Sequence, residues 1–457
     1  MKRGTLIIIG GAVVVAIIAV VLFMIGGNKT QAPPAVSLEW WGVFDDESSY
    51  AGVISAYKQL HPYVTITYKK FRMEEYENSL IQAWARGAGP DIFALPNSWI
   101  GKFQANEFLT PMPASTRMAW YQISRPLGIK QELTISYKAA PSITLNEVRN
   151  RFVSVVPQDV ILQSKIWGLP QSMDTLTLFY NKDLLNYALI TQPPSTWNEF
   201  IDIVPKLTIL DSTGKIVQSG AALGTGNNIP RVFDIVSALM MQNGATMVDA
   251  KGKMAFANSA ADNATSQPGL EALRFYTDFA LPTKQVHSWD SQMPDALEAF
   301  IAGKTAFFFG YEYQRDIIKN QASKLNWSVG PMPQVDPARP VYYANYWVQS
   351  VAKRSTHANE AWDFIQYLSR PDVVVKYLVT SGKTAALTSL VNVDIQDADP
   401  LISTFAQEAV NAKSWYHGRD PGAAETAFAN MVRAVTTGTQ TLPDAITFAS
   451  KEIEQSY

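Results

Sequence analysis

The chain of 457 residues contains no cysteine. That excludes disulfides, a thiolate nucleophile, a Cys-ligated metal and a lipid anchor on an N-terminal cysteine, and thiol usage gives no indication of redox compartment. Histidine is scarce, with four residues at positions 61, 287, 357 and 417. An excess of charge of either sign is also missing: 38 basic against 40 acidic residues leave a net charge of −2. Such a balance supplies no electrostatic footprint for nucleic acid or for a polybasic membrane patch. No P-loop, no G-x-S-x-G and no tandem repeat occurs, and Gly224-Thr225-Gly226 is too short and badly placed for a phosphate loop. His357 and Glu360 have a metal-like i, i+3 spacing but sit at a helix start after Ser355-Thr356, where capping and solvation account for them. Asp45-Asp46-Glu47 opens a helix, where acidic residues favour the dipole. The sequence therefore calls for no metal and no cofactor.

What is present is apolar and aromatic. Hydrophobic residues make up 47%, enough for a large core, and the length suits two lobes rather than one. Most of the 12 Trp and 19 Tyr are expected in the core, and any surplus is what a site that stacks rings would need. Leu6 to Ile25 is an unbroken apolar and small-residue run, preceded by Lys2 and Arg3. Its length suits a membrane span with the body on the extracytoplasmic face. A cleavable signal peptide is the competing reading, but the run is long and leaves through Gly26-Gly27-Asn28-Lys29 without an A-x-A-like exit. Residues 1–27 are thus expected to be a retained N-terminal transmembrane helix, and residues 28–35, small, polar and Pro-containing, a linker.

The body opens with β-α-β-α-β order. Val36 to Trp41 reads as a strand, Asp45 to Leu60 as a helix with an apolar stripe, and Tyr63 to Tyr68 as a β-branched strand. Glu74 to Ala88 reads as a helix stopped by Gly87 to Pro90, and Asp91 to Leu95 as a third strand. This order predicts an α/β fold with a parallel sheet. Thr196 and Glu199 have capping-box spacing, Thr305 to Gly310 is an apolar strand ending at Gly, and Asn359 to Leu368 is an amphipathic helix. Residues 111 to 156 fit no simple unit and read as an elaboration of the first lobe. In such sheets ligands bind beyond the carboxyl ends of strands. The loops to watch are therefore Trp41 to Asp46, Pro96 to Trp99, Tyr311 to Tyr313 and Tyr342 to Trp347.

Ile166 to Asn186 (IWGLPQSMDTLTLFYNKDLLN) sets Asp174-Thr175 as a polar break between apolar runs. The segment resembles the hinge of the family 1 extracellular solute-binding proteins of ABC importers, the group containing maltodextrin and sugar binders. Gly89-Pro90-Asp91-Ile92-Phe93, Pro194 to Phe200, and Lys353, Ser355, Glu360, Ala361, Trp362 and Phe364 resemble further family segments in family order. The resemblance implies a two-lobed, periplasmic-binding-protein-like fold with a hinge. Lobe one would be 36–173 with 345–389, and lobe two 175–343 with 390–457, the chain crossing near Asp174 and Tyr343. It also implies a monomer that captures a sugar or oligosaccharide between the lobes and delivers it to ABC permease subunits. The aromatic candidates for the ligand are Trp41, Trp99, Tyr311, Tyr313, Tyr343 and Trp347; the polar ones are Asp45, Asn97, Asp174, Glu312 and Asn345. Trp415 to Arg419 is expected near the cleft rim. No Arg or Lys cluster lies on these loops, which counts against anionic ligands. A membrane-tethered glycan-processing enzyme, with its carboxylates drawn from Asp45, Asp174 and Glu312, and a sugar sensor or adhesin that does not transport are the alternatives.

Overall fold

The computed structural model describes residues 33–124, 132–260, 265–391 and 399–457. The expected anchor at 1–27 and most of the linker lie outside these residues. Among the described residues no helix is long and apolar enough to cross a membrane.

Two five-stranded sheets organise the body, and each carries its own apolar core. The first is ordered Val64–Lys70, Val36–Gly42, Ile92–Pro96, Trp347–Ala352 and Leu109–Thr110. Its first three strands are parallel, and Trp347–Ala352 runs antiparallel to Ile92–Pro96. The helix Glu47–Leu60 turns Tyr50, Val53 and Tyr57 to the core, as its apolar stripe dictates. Asp91, at a strand entry, accepts hydrogen bonds from the Glu39 N–H (3.0 Å) and the Ser355 hydroxyl (2.5 Å). It thereby ties the strand Val36–Gly42 to the turn after Trp347–Ala352.

The second sheet is ordered Ile209–Leu210, Ile216–Ala221, Thr305–Gly310, Thr177–Asn181 and Trp327–Gly330. Thr305–Gly310 is buried throughout, and Thr177–Asn181 runs antiparallel to it. The capping box of Thr196 and Glu199 is present and starts the helix Trp197–Leu207. Asn181 caps the next helix after its strand, its side chain accepting from the N–H groups of Asp183 and Leu184. Residues 111 to 156 resolve into a long antiparallel hairpin, Ser115–Ser124 with Glu132–Pro141, and the helix Leu145–Arg151, which begins at a Thr144–Glu147 capping box.

Three segments lie side by side between the sheets. Asn345 N–H donates to Asp174 O (3.0 Å), Leu176 N–H to Tyr343 O (3.0 Å) and Ala344 N–H to Lys413 O (2.8 Å). The first core takes residues up to Met173 and again from Ala344, whereas the second takes Leu176 to Tyr343 and again C-terminal residues from Phe405 to Ile453. Asp159, fully buried beside these segments, accepts from Asn97 Nδ2 (3.0 Å), Tyr346 OH (2.7 Å) and the Ser414 hydroxyl.

Glu408 is buried behind the first of these segments. Its carboxylate accepts from the hydroxyls of Thr175 (2.6 Å) and Thr177 and from Met332 N–H (2.8 Å). No cation is among these donors, and burial pushes its pKa up to about 7. The folded protein therefore holds this proton more tightly than the unfolded chain. That stabilisation is complete below the ordinary glutamate value of 4.5 and is lost as pH rises through about 7. The Glu408→Gln variant is expected to lose about 3 kcal/mol of this pH dependence across that window. Urea unfolding at a series of pH values checks it; an unchanged pH slope in the variant refutes the assignment.

Candidate functional site

A cavity lies between the two lobes, beyond the ends of strands from both sheets. From the first lobe, Phe44 and Asp45 reach it from the loop after Val36–Gly42, and Trp99 from the short turn after Ile92–Pro96. Trp347 enters from the first position of its strand. From the second lobe come Tyr311, Glu312 and Tyr313, which directly follow Thr305–Gly310. Asp174 and Asn345 line it from the paired segments that lie between the sheets.

Aromatic rings form one part of the lining. Phe44 stacks on Tyr313 across the cleft, with centroids 5.1 Å apart and planes at 28°, and meets Trp347 edge-on at 5.3 Å. Both Phe44 and Tyr313 stay over a third exposed, so each keeps surface available to a ligand. Trp99 stacks on Phe103 at 5.5 Å, held from behind by the core. Such rings present flat apolar faces.

The polar part is a set of carboxylates, each tethered. Asp45 accepts from Lys383 Nζ (2.7 Å), Tyr50 OH (2.9 Å) and Tyr377 OH (3.1 Å). Lys383 can reach it because the helix Pro371–Ser381 ends at Gly382 in a left-handed conformation (φ 67°), which turns the chain back. Asp174 accepts from the Thr175 N–H (2.8 Å) and, with both oxygens, from the Glu312 N–H (3.1 Å each). Burial and the neighbouring Glu312 push its pKa well up. Glu312 pairs with Arg315 (3.2 Å) and takes the backbone N–H of Thr384 from the other lobe, yet burial still raises it to about 7. Arg231 Nε bonds Asp234 at 2.7 Å, and Tyr311 OH bonds the same carboxylate at 2.6 Å.

Eight of the eleven expected ligand residues line the cavity: Asp45, Trp99, Asp174, Tyr311, Glu312, Tyr313, Asn345 and Trp347. Three do not, for physical reasons. Trp41 lies against Phe71 (centroids 4.2 Å apart) with its indole N–H on Glu39 (2.6 Å), while the cavity takes the loop beyond its strand. The Asn97 side chain is committed to Asp159 and to the backbone N–H of Tyr346. Tyr343 is 5% exposed, within the core of the second lobe, its phenol directed at Asp234. Trp415 and Tyr416, expected at the rim, are buried in that same core. The lining also includes residues that the sequence did not mark: Phe44, Tyr50, Arg231, Tyr377, Lys383 and Glu425. Two of these are cations, but Lys383 is paired with Asp45 and Arg231 with Asp234, so neither stands free. A signal was available only for Phe44, which sits inside the loop already singled out. Among the described residues no group of His, Asp and Glu is arranged to hold a metal.

Residues 41–375 match the family described as bacterial extracellular solute-binding protein. A curated relative, a maltotriose-binding protein of Pyrococcus abyssi, is 20% identical over 79% of this chain and 69% of its own length. A probable ABC transporter-binding protein of Deinococcus radiodurans is 23% identical over 59% of this chain and 63% of its own. Among solved structures, the cyclic α-maltosyl-1,6-maltose binding protein of Arthrobacter globiformis superposes with a TM-score of 0.72 at 16% identity, covering 92% of this chain and 98% of that one. An ABC transporter solute-binding protein of Thermotoga lettingae, bound with α-D-tagatose, gives 0.67 at 19% identity, over 92% and 99%. These likenesses establish the two-lobed architecture.

Proposed function

Since this chain belongs to the bacterial extracellular solute-binding protein family, we propose that it captures a sugar in the cavity between its lobes and hands it to an ABC permease. The observation that carries this reading is the pairing of Phe44 with Tyr313 across the cleft, over a lining of carboxylate, amide and further aromatic groups. Sugar rings have apolar C–H faces and many hydroxyls, so their site needs flat rings and acceptors together. Relatives named for maltotriose and cyclic maltosyl-maltose agree with that class of ligand.

The ligand contacts are assigned to Phe44, Trp99, Tyr313 and Trp347 for stacking and to Asp45, Asp174, Glu312 and Asn345 for hydroxyls. Lobe one comprises 36–173 with 345–389, and lobe two 175–343 with 390–457. A ligand touching both lobes favours their closed arrangement, with the joining segments near Asp174 and Tyr343 absorbing the rotation. The protein acts as a monomer, and residues 1–27 hold it on the extracytoplasmic face of the membrane. The support for that anchor is the apolar run Leu6 to Ile25 after Lys2 and Arg3. Binding without turnover is favoured over glycan hydrolysis. Asp174 bonds the backbone of Glu312, so the two acids lie together rather than facing each other across a scissile bond.

A thermal-shift screen over monosaccharides and oligosaccharides tests the reading. A bound sugar is expected to raise the melting temperature, since it binds only the folded form, by about 3 kcal/mol of stabilisation at a hundredfold excess over Kd. No shift with any sugar, alongside a shift with a peptide or an inorganic ion, contradicts it.

A further inference from the structure

The cavity lining carries four carboxylates, Asp45, Asp174, Glu312 and Glu425, against two cations, Arg231 and Lys383. Both cations are engaged. Lys383 bonds Asp45, and Arg231 bonds Asp234, a further acid set behind the lining. Arg315, the partner of Glu312, is shared with Asp399. Acids therefore outnumber cations, and the two that lie together without a cation of their own to share between them are Asp174 and Glu312.

What these two groups lack is charge, not hydrogen bonds. The Asp174 oxygens accept from two backbone N–H groups, that of Glu312 shared between both oxygens, which occupy lone pairs without supplying a counter-charge. Glu312 has Arg315 and the Thr384 N–H, and its pKa still rises to about 7. A ligand offering only hydroxyls would add neutral donors and still leave the two acids without a counter-charge. A ligand offering a cation would supply what is missing, and the rings of Phe44, Tyr313 and Trp347 suit both a sugar face and a nearby positive charge.

We propose that the ligand is an amino sugar whose protonated amine sits against the Asp174–Glu312 corner of the cavity. This rests on the sugar reading above and narrows it to a class of sugar. Glu425, on the second lobe's part of the lining, faces Arg231 and Asp234 rather than this corner.

Calorimetry near neutral pH decides it. The probes are glucosamine, galactosamine, mannosamine and the glucosamine disaccharide, each compared with its neutral parent sugar and its N-acetyl form. The best amine is expected to bind at least about tenfold tighter than its neutral parent, the scale of one partly screened charge pair in a cleft. Its N-acetyl form should lose that advantage. Glu312→Gln should reduce the amine preference by about fivefold, with urea denaturation of the same variant reporting whether it folds as the wild type does. Asp174→Asn should reduce it further. Neutral sugars binding as tightly as the amines, or a preference that survives both substitutions, overturns the inference and leaves the sugar reading standing. Failure of every sugar, charged or neutral, removes the sugar reading itself.

Discussion

Replacing Asp45 by alanine is expected to lower the folding stability by about 3 kcal/mol or more. Asp45 is 13% exposed by side chain and Lys383 22%, so the pair is largely withdrawn from water. Around this one carboxylate converge the Lys383 ammonium and the hydroxyls of Tyr50 and Tyr377, whose rings stack at 5.2 Å. Alanine would leave a mostly buried ammonium without a counter-charge and two phenols without an acceptor. The penalty comes from those orphaned partners rather than from the net worth of the pair. The double variant Asp45→Ala, Lys383→Met should therefore recover a substantial part of the loss. Urea denaturation of the three proteins checks both statements. A single variant as stable as the wild type, or a double variant worse than the sum of its parts, contradicts the account of this cluster.

Trp347→Ala is expected to weaken sugar binding by roughly 30- to 150-fold, the loss of about 2–3 kcal/mol that follows from removing one large stacking ring. Trp347 holds the edge of Phe44 at 5.3 Å and borders Tyr76 at 6.0 Å and Trp99 at 6.5 Å. Removing it takes away its own face and also the support for the ring that bridges to Tyr313. Trp347→Phe should retain most of the affinity. Calorimetry with the sugar selected by thermal shift measures the effect, and denaturation of the same variants separates it from loss of fold. Wild-type affinity in the alanine variant would move the site away from this wall.

The sheets were readable because their signals are local. The β-branched strand after His61, the Gly and Pro residues closing the helix before Asp91, and the Thr196–Glu199 box each act within a few residues. The cavity was legible to the extent that it is built from the ends of those strands, which is why Asp45, Trp99 and Tyr311 to Tyr313 were found. Two kinds of information were not local. One is which of two adjacent groups points inward: Trp41 turned to Phe71, and Tyr343 to Asp234. The other is which residues from distant helices complete the wall. Arg231 precedes the helix Val232–Gln242, Glu425 lies in Pro421–Thr436, and Lys383 follows Gly382; only the packing of these helices brings them to the cleft. The charge balance of the site rests on those three residues, so it could not be judged from the loops alone.

The most direct test is backbone hydrogen exchange with and without the sugar that the thermal-shift screen selects. A ligand bridging the lobes should slow exchange together at residues 43–46, at 174–175 with 345–347, and at 311–313, that is, on both lobes and on the segments joining them. Protection confined to one lobe, or appearing away from these three stretches, would contradict capture between the lobes.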